Sequence, residues 1–155
     1  MILRQPTTPH AQPVLHLSLT WQQRAGSRVQ IVGPTGEPIQ ICLPHGHFLR
    51  HGDVLQAEDG RIIQVEATSE RLLRVTAHHP LQLARLAYHL GNRHATVEIG
   101  MNYLQFLPDD LLVHLVTALG GVCEEVVAPF TPERGSVSSS HDHGGVASGH
   151  IHEFS

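Results

Sequence analysis

The first half of the chain alternates apolar and polar side chains in short bursts. Leu15, Leu17 and Leu19 are separated by His16 and Ser18, so residues 14–19 read as a strand with one buried face. Arg28–Val32 and Ile39–Leu43 alternate in the same way, and the stretch between them, Gly33-Pro34-Thr35-Gly36-Glu37-Pro38, is dense in turn formers. That pair predicts a hairpin. Val54–Ala57 and Arg61–Ala67 flank Glu58-Asp59-Gly60, whose Asp-Gly step suits a tight reversal. Residues 1–69 therefore read as a small all-β domain, a barrel or sandwich.

Beyond residue 70 the period lengthens. Arg71–Ala77 is a further strand, and Pro80 then stands at a first helical position. Leu83, Leu86, Ala87 and Leu90 supply the apolar stripe of an amphipathic helix, with Gly91 placed where such a helix stops. Ala95–Ile99 and Tyr103–Leu107 read as strands around a turn at residues 100–102. Asp109 caps a second helix with the buried stripe Leu112, Leu115, Val116 and Leu119, closed by Gly120-Gly121, and Val122–Ala128 is the last strand. Strand–helix–strand–strand–helix–strand is the ferredoxin-like βαββαβ order, expected over residues 70–134. Residues 135–155 lose all periodicity and consist largely of Gly, Ser and His, which predicts a disordered, His-containing tail. The fold class is thus α+β.

Composition narrows the function. A chain of 155 residues with 41% hydrophobic and 15% charged residues buries a substantial core. A formal net charge of −4 argues against nucleic acid, which calls for clustered positive charge. The sequence contains neither an apolar run of membrane-spanning length nor a signal-peptide core, and Cys42 and Cys123 form no CxxC pair. A cytoplasmic protein with buried, inert thiols is expected, without membrane or nucleic-acid partners.

Histidine is the outlier, with 14 copies. Neutral imidazole is the common ligand for borderline metals such as nickel, copper and zinc. The tail carries His141-Asp142-His143 and His150-Ile151-His152 where there is no core to fill, so these four are candidate metal ligands. His94 follows Gly91-Asn92-Arg93 at the break between helix and strand, where its ring can point outward. His89 and His114 fall on polar helix faces and read as solvated, and His78 and His79 sit before Pro80 as helix-capping candidates. His45, His47 and His51 cluster in the β domain, but a zinc site needs a third ligand with suitable spacing and none stands out.

The run Tyr88-His89-Leu90-Gly91-Asn92-Arg93-His94 resembles the signature segment of the urease accessory protein UreE family of nickel metallochaperones. Leu43-Pro44-His45-Gly46, then Leu49 to Leu55 and Glu58-Asp59-Gly60, resemble the family's N-terminal domain; Leu111 to Gly120 and Pro129 to Glu133 resemble the end of its C-terminal domain. The likeness covers residues 14–134, and the tail matches in character. It implies a peptide-binding-like N-terminal β domain, a ferredoxin-like metal-binding domain, and a homodimer through the latter. It further implies that His94 is the principal nickel(II) ligand at the dimer axis, assisted by a terminal pair here matched by His150 and His152. A two-fold axis suits a lone histidine, because it brings a second copy of the same residue to one point. The implied recipients are a urease-maturation GTPase and the urease precursor complex, and no catalysis is expected. One departure stands out: some members carry extra metal-binding histidines some 14–16 residues beyond the signature histidine, whereas Phe106-Leu107-Pro108-Asp109-Asp110 has none. No peripheral site is expected there.

Zinc(II) and copper(II) also accept imidazole, so the site is open to them. Two other functional readings stand beside the chaperone: a histidine-rich nickel or zinc store or sensor, and a zinc-dependent hydrolase built on His45 and His47.

Overall fold

A computed structural model of the chain describes residues 1–4 and 15–133. In the first half, strands β1 (Ile2–Arg4), β2 (Leu15–Leu19), β3 (Arg28–Val32), β4 (Pro38–Cys42), β5 (Val54–Ala57) and β6 (Ile62–Ala67) form one six-stranded sheet, in the order β2-β6-β5-β1-β4-β3. The alternation seen in the sequence is what this sheet buries: Leu17, Leu19, Ile39, Ile41, Leu55, Ile63 and Val65 share one core. The predicted hairpins form as expected. β3 pairs antiparallel with β4, Val32 opposite Pro38, and β5 with β6 through a turn in which Gly60 takes φ +86°. At that turn the Gly60 amide donates to the Ala57 carbonyl at 2.9 Å.

Two elements of this half were not anticipated. β1 lies between β5 and β4, its Leu3 wholly buried, yet three residues are too few to display a period. The short helix α1 (Trp21–Ala25) interrupts the otherwise all-β unit. Its capping box joins Thr20 and Gln23: the Gln23 amide donates to Thr20 Oγ1, and the Thr20 amide donates to Gln23 Oε1.

In the second half, β7 (Ser69–Thr76), α2 (Pro80–Asn92), β8 (Glu98–Ile99), β9 (Leu104–Phe106), α3 (Asp110–Ala118) and β10 (Val122–Pro129) follow in the βαββαβ order. Their sheet runs β10-β7-β9-β8 with every neighbouring pair antiparallel, the ferredoxin-like arrangement expected. Leu86 and Leu90 from α2 and Val116 from α3 meet Val75, Leu104 and Phe106 of the sheet in a second core. Asp109 caps α3 as anticipated, its Oδ1 accepting from the Leu111 and Leu112 amides. The strands flanking the turn are shorter than the expected 95–99 and 103–107. Local geometry explains part of the loss, since the Ala95 amide is spent on the Leu90 carbonyl at the helix end.

The two sheets are separated in sequence only by Thr68. Arg24 of α1 lies at their junction, 1% exposed. Its Nε donates to the Leu19 carbonyl at 3.3 Å, and a terminal guanidinium nitrogen donates to the carbonyl of Phe130, beyond β10. Burial pulls its guanidinium below its ordinary pKa, and the charges of Glu70 and Glu98 act in the opposite direction. Trp21 covers the contact, its ring edge-on to Phe48 at 5.3 Å and to Phe130 at 6.1 Å, while its amide donates to Glu70 Oε2 at 2.8 Å.

Past β10 the chain runs back toward the opposite edge of the second sheet. The Thr131 amide donates to Glu98 Oε2 at 2.9 Å, and the Glu133 amide to the Val97 carbonyl at 2.8 Å. Residues 130–133 thus form a strap from the β10 edge to the β8 edge. Gln105 lies under the same network, 1% exposed: its Nε2 donates to Glu98 at 2.8 Å, and its Oε1 accepts two bonds from Arg74.

Candidate metal centre

The geometry around His94 starts with how α2 ends. Gly91 was expected to stop the helix, but α2 continues through Asn92 with Arg93 as its C-cap. The stop comes at His94. The His94 amide donates to the Gly91 carbonyl at 3.0 Å and the Ala95 amide to the Leu90 carbonyl at 3.2 Å, the paired bonds of a Schellman motif. That motif puts the residue after the cap in the left-handed region, a position usually given to glycine. Here His94 holds it at φ +55°, the one non-glycine residue with positive φ among the described residues. The conformation costs roughly 1 kcal/mol in a residue bearing a Cβ. Strain of this kind, held in place by its surroundings, is a mark of functional positions.

The ring itself is exposed, and no hydrogen bond among the described residues holds it. It stands at the C-terminal end of α2, where the helix dipole favours positive charge. Leu90, four residues earlier, is buried in the core, so an anchored helix end presents an exposed ring to solvent. One imidazole gives one ligand bond. A borderline cation needs more.

The remaining described histidines do not assemble a site. No group of three or more His, Cys, Asp or Glu side chains among the described residues could hold a metal ion. His45 and His47 are exposed on a turn closed by the His47 amide donating to the Pro44 carbonyl, whereas His51 is committed through Nδ1, which accepts from the Ala67 amide at 3.2 Å. His16 pairs with Glu66 at 2.8 Å. His79 is the N-cap residue of α2 but makes no side-chain capping bond, and His78 is exposed. His114 is exposed as expected; His89 is half-buried, edge-on to Tyr88 at 5.4 Å. The cysteines are half-buried rather than fully buried, both free, and burial pushes the Cys123 thiol up, away from the reactive thiolate. His141, His143, His150 and His152 lie outside the described residues. Among the described residues no helix is long and apolar enough to cross a membrane.

Arg24, Glu98 and the strap had no place in the sequence reading. Only the Thr20-x-x-Gln23 capping pattern in the sequence signals the helix that carries Arg24.

Fold and site together define a class: a two-sheet α+β protein whose ferredoxin-like half offers one strained, outward-facing histidine at a helix end. Comparison with known proteins makes the class particular. Residues 2–68 match the family model described as UreE urease accessory protein, N-terminal domain, and residues 70–155 match that of the C-terminal domain. The urease accessory proteins UreE of Burkholderia lata and Burkholderia vietnamiensis are each 46% identical over 128 residues, 83% of this chain, and that of Burkholderia orbicola is 44% identical over the same length. The chain belongs to the UreE urease accessory protein family. Its matched part spans 62%, 64% and 63% of those three relatives' own lengths.

Proposed function

We propose that this protein is a nickel carrier for urease assembly, a binding and transfer protein without turnover of its own. The observation that carries the reading is His94. A chain that keeps an exposed histidine in a glycine conformation forgoes stability for what that side chain does, and the same residue closes the signature run shared with nickel metallochaperones.

Two copies of His94 facing each other across a two-fold axis give nickel(II) two nitrogen ligands and leave coordination positions free. The strap supports a contribution from the tail. Glu133 is hydrogen-bonded to Val97, three residues from His94, so the chain enters its last segment beside the site. About eight residues separate Glu133 from His141, a contour of roughly 25 Å, and His150 and His152 have longer tethers. That contour is long enough to let a tail histidine reach a cation at His94. Two fixed and two tethered ligands suit a carrier, because the tethered pair can leave while the recipient's own ligands take over. A urease-maturation GTPase and the urease precursor complex are the recipients that follow from the family, and the cytoplasm is the corresponding compartment. Zinc(II) and copper(II) compete for the same imidazoles.

The test is a calorimetric nickel titration of the protein and of His94→Ala, with subunit mass from light scattering. About one tight nickel per dimer, lost in the variant, is the expected outcome. A tight site that survives His94→Ala but is lost when His141, His143, His150 and His152 are all alanine would make the tail a histidine-rich store instead. Imidazole ligation also sets the pH response: protons compete for the ligand, so affinity falls as pH drops below about 6.5. Constant affinity between pH 7.5 and 5.5 would rule histidine ligation out.

A further inference from the structure

Between α2 and the end of α3 lies a groove of about 550 Å³, lined by His79, Leu81, Gln82, Arg85, His89 and Leu119. The spacing 79, 82, 85, 89 keeps these side chains on one side of α2 over ten residues, roughly 15 Å of helix. Gly120 sets the floor. At φ +81° and without a Cβ, it lets the end of α3 close on α2, so that Gln82 Nε2 donates to the Leu119 carbonyl at 3.1 Å. A Cβ at that glycine would stand 2.6 Å from the same nitrogen. The bond also occupies a carbonyl that would otherwise repel an anion at this helix end.

Charge gives the groove its character. The chain holds 14 Asp and Glu and a formal net charge of −4, yet no carboxylate occurs from His78 to Val97 or from Leu111 to Cys123. Those stretches build both walls, and the first carries Arg85, Arg93 and four histidines. Arg85 is exposed and enters no hydrogen bond or ion pair among the described residues. Arg61 and Arg71, by contrast, each hold a carboxylate. His79 makes no capping bond, and an imidazole in either tautomer keeps one N–H for a carboxylate. Leu81, 64% exposed, adds an apolar edge.

We propose that this groove docks an acidic, leucine-bearing segment of the protein that receives the metal. The occupant follows from complementarity. A guanidinium without a partner, flanked by imidazoles and one exposed leucine, fits carboxylates with an apolar side chain between them. The groove's length accommodates about four or five residues of extended chain. Arg85 stands nine residues before His94, roughly 14 Å along the helix, so a docked partner is held beside the candidate metal site. That use of the groove rests on the carrier reading above, whereas the docking itself does not.

The experiment is fluorescence anisotropy on the full-length protein with a labelled peptide of four Glu-Glu-Leu repeats. A peptide with serine in place of every glutamate is the control. The acidic peptide is expected to bind about tenfold more tightly than the control, and less tightly as salt is raised. Arg85→Gln should weaken it about three- to tenfold, and Leu81→Ser about threefold. Arg28→Gln removes an equally exposed arginine from the edge strand β3 and should change nothing. Arg85 and Leu81 are both exposed, so these variants keep the fold, which thermal melts verify. Absence of binding, or equal binding of the two peptides, overturns the proposal. Equal losses in Arg85→Gln and Arg28→Gln would mean diffuse attraction and overturn it as well. Nickel titration separates the two readings. Nickel binding indifferent to His94→Ala sinks the carrier reading and leaves the docking groove standing. Peptide binding indifferent to Arg85→Gln sinks the groove alone.

Discussion

His94 makes a trade at the level of one residue. Its Cβ is strained by the left-handed backbone, and glycine at the same place removes the strain at some cost in unfolded-state entropy. His94→Gly should raise stability by up to about 1 kcal/mol in a denaturant or thermal melt, while the nickel site is lost. His94→Ala should lose the site without the gain, because alanine keeps the Cβ. A His94→Gly protein no more stable than the parent would remove the structural argument for a functional strain. Gln105 shows the opposite economy, a buried polar residue with both ends of its amide in use. Gln105→Leu deprives Arg74 and Glu98 of their shared partner and should cost about 2 kcal/mol, read by chemical denaturation.

Among the elements, those with a full period in the sequence were legible. α2 and α3 show their buried stripes in the sequence, and Asp109 fills the role its side chain predicts. Asp109→Ala should cost about 1 kcal/mol by leaving two helical amides without an acceptor. Leu90→Ala, in the core directly before the site, should cost about 3 kcal/mol and loosen the helix end that presents His94. Short elements were not legible. Ile2–Arg4 carries no alternation to read, and its place between β4 and β5 comes from residues some forty to fifty positions away. The end of α2 was misplaced because glycine is the residue expected in a left-handed stop; the sequence offers Gly91, and the backbone uses His94 instead. The histidine was thus singled out in the sequence by its neighbours and by family likeness, and its strained geometry became visible only in three dimensions.

For the whole molecule, the change of period near residue 70 falls where the second sheet begins, at Ser69. What could not be read was how the units meet. Arg24 and Phe130 are 106 residues apart, and nothing local in either marks the other as its partner. Exposed carboxylates add a mild acid sensitivity. Glu125 is held below the usual range by its bonds to Arg71, so the stability it contributes is present above its unfolded pKa and lost as pH falls through the lower folded one. Arg71→Ala should therefore leave the protein unchanged in strong acid and slightly weaker at neutral pH, as followed by thermal melts across that range. The junction has a further consequence, one of timing and light. Trp21 is the only tryptophan, and its ring rests on Phe48 from its own unit and on Phe130 from the far end of the second. Contacts this distant in sequence form late, because the chain entropy of closing so long a loop must first be overcome. Indole emission therefore reports the joining of the two units, while far-ultraviolet ellipticity reports the strands and helices within them. In a refolding trace the two signals separate if the units fold before they join, and coincide if the molecule forms as one.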